Sequence, residues 1–308
     1  MNPTRRLFAL GAIACAALAT AGTALAQFPE KPLRIVVGAP AGGSADIIAR
    51  TLSEGLTQQL GQPVMVDNKP GGAGLIGLQE VLKAPRDGHT VMVSVNGLVS
   101  EIPHAMKMPV DPMKELRPVA ELARTGLLFV GSPQVPASNV KEVIAYIKAN
   151  PGKVNFASYS PGSLSHTLGL EFNKLTGTDM AHVGYKGSPP ALTDLIGGHV
   201  SFMFDGPATS IPMIKGGKIK VFATTAPARL SMLPDVPTFA ELGYKDLTET
   251  AWMGLFVAAD VPAAAQTRLR EAVLKVLEQP AVRQRFAALG LDMAPPASPD
   301  ELVRSLRT

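Results

Sequence analysis

Cysteine is almost missing from this 308-residue chain: the single one, Cys15, lies in an N-terminal stretch that reads as an export signal. A protein cleaved after that signal has no thiol, which excludes disulfides, thiolate catalysis and cysteine-held metal. Histidine is scarce too. His89, His104, His166, His182 and His199 make no i, i+4 pair, and no acid–histidine spacing resembles a metal site. Aromatic residues are only 5% of the chain and the formal net charge is +4. No Lys/Arg cluster with interleaved aromatics occurs, so no nucleic-acid partner is expected. Long apolar runs are also lacking: none after residue 27 approaches a membrane span.

Residues 1–26 read as an address and not as structure. Arg5 and Arg6 precede an uncharged apolar run at 7–21, and Ala24-Leu25-Ala26 is a small-x-small cleavage site with Gln27 as the new N-terminus. The string TRRLFAL at 4–10 resembles a twin-arginine signal, and a general secretory signal fits the same residues. Lipid anchoring at Cys15 is disfavoured because Ala12, not a leucine-like residue, lies three places upstream. Cleavage leaves 282 residues, enough for two domains, and removes two arginines and no acid, lowering the charge to +2. Export places the product in the periplasm as a soluble, near-neutral protein.

Strand patterns at 33–37, 63–67, 91–95, 127–131, 154–158, 181–184, 200–204, 219–224 and 252–258 alternate with helical patterns. The helices fall at 45–60, 75–84, 139–149, 164–176, 189–197, 207–215 and 263–278. Such alternation predicts an α/β fold with parallel sheets covered on both faces. Two segments read as crossings between lobes: LLFVGSP at 127–133 and PDVPTFAELGYKD at 234–246. The expected division is one lobe of 27–126 plus 221–308 and a second of 127–220, with a ligand cleft between them.

The most informative motif is APAGGSADIIAR at 39–50, directly behind the apolar run LRIVV at 33–37. It reads as a buried strand, a glycine turn and the first turn of an amphipathic helix with Ser44 as N-cap. The first N–H groups of a helix have no internal partner and carry the positive end of its dipole, so the arrangement attracts an anion, most simply a carboxylate. The stretch NFASYSPGSLSHTLGLEF at 155–172 repeats this logic, with Ser163 as the cap. Asp46 sits where a carboxylate meets the dipole favourably, and it can also accept from ligand hydroxyl or ammonium groups. Neither glycine loop contains an arginine, so recognition falls to backbone dipoles and water bridges.

Two rival readings start from the same residues. Gly72-x-Gly74-x-x-Gly77 is formally a dinucleotide fingerprint, but four residues separate it from its strand and no acid closes the next strand. A tight turn into a helix is the better reading, and no cofactor is expected. Ser165, His166 and Asp205 supply the residue types of a hydrolase triad. No G-x-S-x-G elbow accompanies them, and adjacent residues on one helix point apart. Trp252 reads as hinge or core packing.

Five blocks resemble the tripartite tricarboxylate transporter substrate-binding family, known in one branch as Bug proteins. They are APAGGSADIIAR at 39–50, VDNKPGGAGLIG with PRDGHT at 66–90, and FASYSPGSLSH at 156–166. The others are HVGYKGSPPALTDLIGGHVSFMFD at 182–205 and LPDVPTFAELG with AWMGLFVAADVP at 233–262. The resemblance implies a two-lobed periplasmic binding protein of type II, with two hinge-crossing segments, that closes on a small organic carboxylate without catalysis. In the family the first glycine loop and the serine-rich loop opposite hold a carboxylate, partly through water. Carried over, this falls on Gly42, Gly43, Ser44 and Asp46, with Ala39 and Ala41 in the same loop, and on Ser158, Ser163 and His166. Asp205 and, more weakly, Asn96 are expected to face the same cleft. The implied partners are the integral membrane subunits of an ion-driven transporter, and a sensory role with the same ligand fits equally; a monomer is the default for a receptor that opens and closes. Ala39 stands where the family often has a bulky aromatic, which implies a larger ligand. Ala157, Ser160 and Gly184 replace common glycine, glycine and proline, and the chain stops at Thr308 inside what resembles the penultimate helix.

Overall fold

The computed structural model describes residues 28–293 and 295–307; the export signal with Cys15, and Gln27, lie outside the described residues. The run LRIVV forms β1 (Leu33–Val37), and its four apolar residues, all buried, suit a strand covered on both faces, with the half-buried Arg34 paired to Asp67 and Glu80. β1 runs parallel between β2 (Val64–Asn68) and β3 (Thr90–Val95). With β4 (Leu116–Gly126) and β10 (Thr250–Ala258) they make a sheet of order β2-β1-β3-β10-β4, in which β10 is antiparallel to β3 and β4. The second sheet has the order β7-β6-β8-β5-β9, from β5 (Leu128–Gly131), β6 (Asn155–Ser158), β7 (Ala181–Gly184), β8 (Phe202–Asp205) and β9 (Lys220–Thr224). Here β5 is the antiparallel strand. In each sheet the odd strand is the one that arrives from the other sheet.

The seven expected helices form within two residues of the predicted bounds, at Ser44–Leu60, Leu75–Lys83, Val140–Ala149, Leu164–Thr176, Ser188–Gly197, Pro207–Lys215 and Ala263–Leu277. Two departures have physical causes. β4 was not expected because Pro118 interrupts its pattern. It lies at the sheet edge, where a residue without an N–H is tolerated, and its register against β10 shifts there. The boundary at 220 and 221 is corrected as well: β9 pairs with β5, so the strand at 220–224 belongs to the second sheet and the chain returns to the first only through 225–249.

The few aromatic residues are concentrated. Seven phenylalanines, 129, 156, 172, 202, 204, 222 and 239, share one core against a single face of the second sheet. Phe129 sits at its centre, with ring centroids 4.7 Å from Phe204 and 4.8 Å from Phe172. Trp252 is buried in the first core and stacks on Phe256 at 5.7 Å.

The crossings meet at Thr225, which is fully buried. Its N–H donates to the Leu127 carbonyl (2.8 Å), and its hydroxyl oxygen accepts from the Leu127 N–H (2.8 Å). The hydroxyl donates to the Glu249 carbonyl (2.7 Å), while the Glu249 N–H donates to the Thr225 carbonyl (2.9 Å). One residue thus ties both connections between the sheets. Thr225→Val keeps the volume but strands the Leu127 N–H, so it should lower unfolding free energy by about 1–3 kcal/mol. The urea midpoint measures this, and an unchanged midpoint would show that the clasp contributes nothing to stability.

Candidate functional site

Parallel α/β sheets bind ligands beyond the carboxyl ends of their strands. Gly38, Asn96, Tyr159 and Gly206 immediately follow β1, β3, β6 and β8, and all four line one cavity of about 310 Å³ between the two sheets. The helices Ser44–Leu60, Leu164–Thr176 and Ser188–Gly197 begin in its wall, after Gly43, Ser163 and Gly187. None of these three N-caps makes a side-chain capping bond. By contrast Asp111, Asn139 and Ser298, away from the cavity, cap their helices with their side chains. Ser44, Ala45, Leu164 and Ser188 line the cavity, and their N–H groups have no protein acceptor among the described residues. Three positive helix ends and four donors without a protein partner are an arrangement that attracts negative charge. A fourth helix, Pro207–Lys215, starts in the wall at Gly206, but Pro207 has no N–H and the Gly206 N–H donates to the Tyr159 hydroxyl (2.6 Å).

The rest of the wall is mostly carbon, including Ile102, Met106, Leu127, Leu164 and Met253. Lys186 is the one cation and Glu101 the one acid among the described lining residues. The lobes touch around the cavity. A Cβ on Gly187 would sit 2.5 Å from Pro40 Cδ, one on Gly206 2.8 Å from Ser44 Oγ, and one on Gly162 would collide with Ala105. Glycine at 187 lets the two loops close on each other.

Of the expected site residues, the structure brings Ala39, Gly43, Ser44, Asn96 and Ser163 into the cavity wall. Ala41, Gly42, Asp46, Ser158, His166 and Asp205 are not in it. Asp46 accepts from the Gly42 N–H (2.9 Å) and pairs with Arg50 (3.0 Å). Burial works to raise its pKa, but Arg50, the Gly42 N–H and Asn68 together hold the carboxyl below its ordinary value. The acid thus pins the first glycine loop from behind, with Gly42 in the left-handed region (φ 80). Asn96 is tied to β10, its Oδ1 accepting from the Trp252 N–H (3.0 Å).

The opposite loop is pinned in a similar way. Ser158 Oγ lies 2.7 Å from His182 Nε2, and His166 Nδ1 accepts from the Gly162 N–H (3.1 Å). The two imidazoles lie 4.0 Å apart. Burial lowers the pKa of His166, and burial with His166 lowers that of His182 to about 4, so both rings are neutral near pH 7. Asp205 is fully buried and accepts from Thr209 (2.7 Å) and Ser210. Burial pushes its carboxyl up, against the hydroxyls of Ser210, Ser188, Thr209 and Tyr159. Ser165 donates to the Phe204 carbonyl (2.6 Å). No hydrogen bond links Ser165, His166 and Asp205, so the hydrolase triad is not assembled.

Sequence reasoning missed three parts of the wall. Gly71, Gly72, Ala73 and Gly74 line the cavity, although the loop was read only as a turn. The signal was the run of glycines: a Cβ on Gly77 would sit 2.9 Å from Gly38 Cα, so the two glycine loops pack backbone to backbone. Residues 185–188 fall in the family-like block at 182–205 but were not read as site residues, and Glu101 had no motif to mark it.

The family described as the tripartite tricarboxylate transporter family receptor matches residues 48–304. BugT of Bordetella pertussis is 32% identical over 292 residues, covering 94% of this chain and 90% of BugT. Among solved structures, MatC from Rhodopseudomonas palustris with bound malate superposes with a TM-score of 0.85 at 31% identity, over 91% of this chain and 96% of that one. A second R. palustris protein, with adipate, gives 0.86 at 27% identity, over 91% and 93%.

Asp46→Asn should weaken carboxylate binding by loosening the loop, and it should also change the pH dependence of stability. The native pKa of Asp46 is depressed, so its stabilisation is complete above about pH 4 and disappears as pH falls through the native value. Urea midpoints of the two proteins should converge on acidification; a gap independent of pH would contradict the assignment.

Proposed function

The chain belongs to the tripartite tricarboxylate transporter receptor family, and on that premise we propose that it captures a small organic carboxylate in the interlobe cavity and delivers it to the integral membrane subunits of a transporter. The observation that carries this reading is the set of unpartnered N–H groups at Ser44, Ala45, Leu164 and Ser188 around one cavity. A carboxylate has acceptor sites enough to meet several donors at once, and helix ends favour its charge without a buried cation. MatC holds malate and the second R. palustris protein holds adipate, both small carboxylates, in a fold shared with this chain.

The mechanism follows from the placement of parts. The ligand acid docks on the backbone donors of one lobe while the lobes are apart. Closure brings the other lobe's helix ends onto it, expels water and strengthens the interaction in the drier cavity. Gly42, Asp46 and Arg50 hold one loop ready, and His166 and His182 hold the other, so specificity rests on positioning and not on salt bridges. Residues 1–26 direct the protein to the periplasm, and it works there as a monomer. His166→Ala should then reduce affinity only, whereas an enzyme using that imidazole would lose its turnover.

Ala39 lines the cavity where the family often carries a ring, so the ligand is bulkier than a short amino acid or C4 acid. Ala39→Phe should weaken such a ligand severalfold by calorimetry, and equal affinities would contradict the size assignment. The broader test is thermal unfolding of residues 27–308 with mono-, di- and tricarboxylates, aliphatic and aromatic. A ligand at about a hundred times its Kd adds roughly 2.7 kcal/mol and raises Tm by several degrees. No shift with any acid, from protein shown by mass spectrometry to be ligand-free, would overturn the reading.

A further inference from the structure

The cavity holds one carboxylate of its own, on an element that belongs to neither glycine loop. Glu101 joins two single-turn helices, Gly97–Ser100 and Ile102–Ala105. Its backbone is satisfied, the N–H donating to the Gly97 carbonyl (3.0 Å) and the carbonyl accepting from the His104 N–H (3.0 Å). Its side chain folds over the Gly97 wall: a Cβ on Gly97 would lie 3.0 Å from a Glu101 carboxylate oxygen, so glycine there lets the carboxylate lie close against the backbone. Glu101 is among the residues lining the cavity, as are the carbon side chains of Ile102 and Met106 beside it. The carboxylate makes no hydrogen bond or ion pair with any described residue. Another acid, Glu249 of the hinge clasp, acts on it electrostatically. Burial and Glu249 push the Glu101 carboxyl up to about 7.

An acceptor set into a binding cavity without a protein donor rejects any ligand that fails to supply one. At Glu101 a second ligand carboxylate would meet a like charge, whereas an ammonium or hydroxyl would meet an unpartnered acceptor; the one cation of the described lining, Lys186, belongs to the separate loop at 185–188. Resting on the carboxylate-receptor reading, we propose that Glu101 is a specificity-determining residue that accepts from a hydrogen-bond donor, best a cationic one, at the part of the ligand remote from its carboxylate. The ligand class is then a carboxylic acid with an apolar body and an amino or hydroxyl group, not a simple di- or tricarboxylate.

The test is calorimetry on ligand-free protein at about pH 8, where most of the Glu101 carboxyl is ionised. Four matched series, each running from butanoate to octanoate length, differ only at the far end: methyl, hydroxyl, ammonium or carboxylate. The best ω-amino acid should bind at least about tenfold tighter than the matching plain acid and dicarboxylate, as expected for a hydrogen bond to a charged group. Glu101→Gln should erase the preference of the ω-amino acid over the matching plain acid, and an unchanged far-UV circular dichroism spectrum reports that the variant is folded. A dicarboxylate as the tightest ligand, or an unchanged ranking in Glu101→Gln, would overturn the proposal while the receptor reading stands. Binding by none of the four series would overturn both.

Discussion

A helix that starts at a binding cavity without a capping side chain has donors that only a ligand or water can satisfy. Three helices of this chain start that way around one cavity. Gly43, Ser163 and Gly187 occupy the cap positions, and none turns a side chain onto its own helix. Most of the architecture serves to bring those three ends together. Two parallel sheets are needed because each delivers helix starts at the carboxyl ends of its strands, and the chain must cross between sheets so that the two sets face each other. The glycines at 38, 74 and 77 let the loops pack backbone to backbone, and the buried acids and imidazoles behind the wall keep the loops in register.

This division of labour explains why Asp46, His166 and Asp205 are not in the wall. Asp46, His166 and Asp205 are each bound to backbone or hydroxyl groups of their own lobe. A buried polar group left without a partner is costly, and each of these is at least partly satisfied within the fold, although Asp205 Oδ1 has no partner among the described residues. The charged residues on the wall itself, among those described, are Lys186 and the unpartnered Glu101. The Thr225 clasp ties both crossings at one point, which suits hinge motion: the sheets can rotate about a small set of buried hydrogen bonds without exposing either core.

Much of the fold was legible because strand and helix periodicity in this chain is clean. LRIVV before a glycine turn could hardly be other than a central strand and an anion loop, and seven helices fell where their apolar spacing put them. β4 was hidden because its proline reads as a break, and only its edge position makes that harmless. β9 was assigned to the wrong lobe because nothing in a five-residue strand says which sheet it joins; pairing with β5 is a long-range fact. Ser163 was placed correctly at its cap, whereas Ser44 was read as a cap one residue late, because Gly43 holds that position and Ser44 is the first helical residue. The facing of Asp46 and Asp205 was not legible, because side-chain direction depends on partners such as Arg50 and Ser210 that the local pattern does not rank. Glu101 carried no signal at all: it is one acid among ordinary residues until the fold closes around it.

The central claim is that backbone donors, not charged side chains, hold the ligand acid. Amide NMR of the labelled protein tests it directly, during titration with a carboxylate that stabilises the fold. The amides of Ser44, Ala45, Leu164 and Ser188 should move downfield to saturation together, while those of Gly61, Gly177 and Gly198, at the far ends of the same helices, stay in place. Saturable binding that leaves those four amides unmoved would contradict the account and place the acid elsewhere.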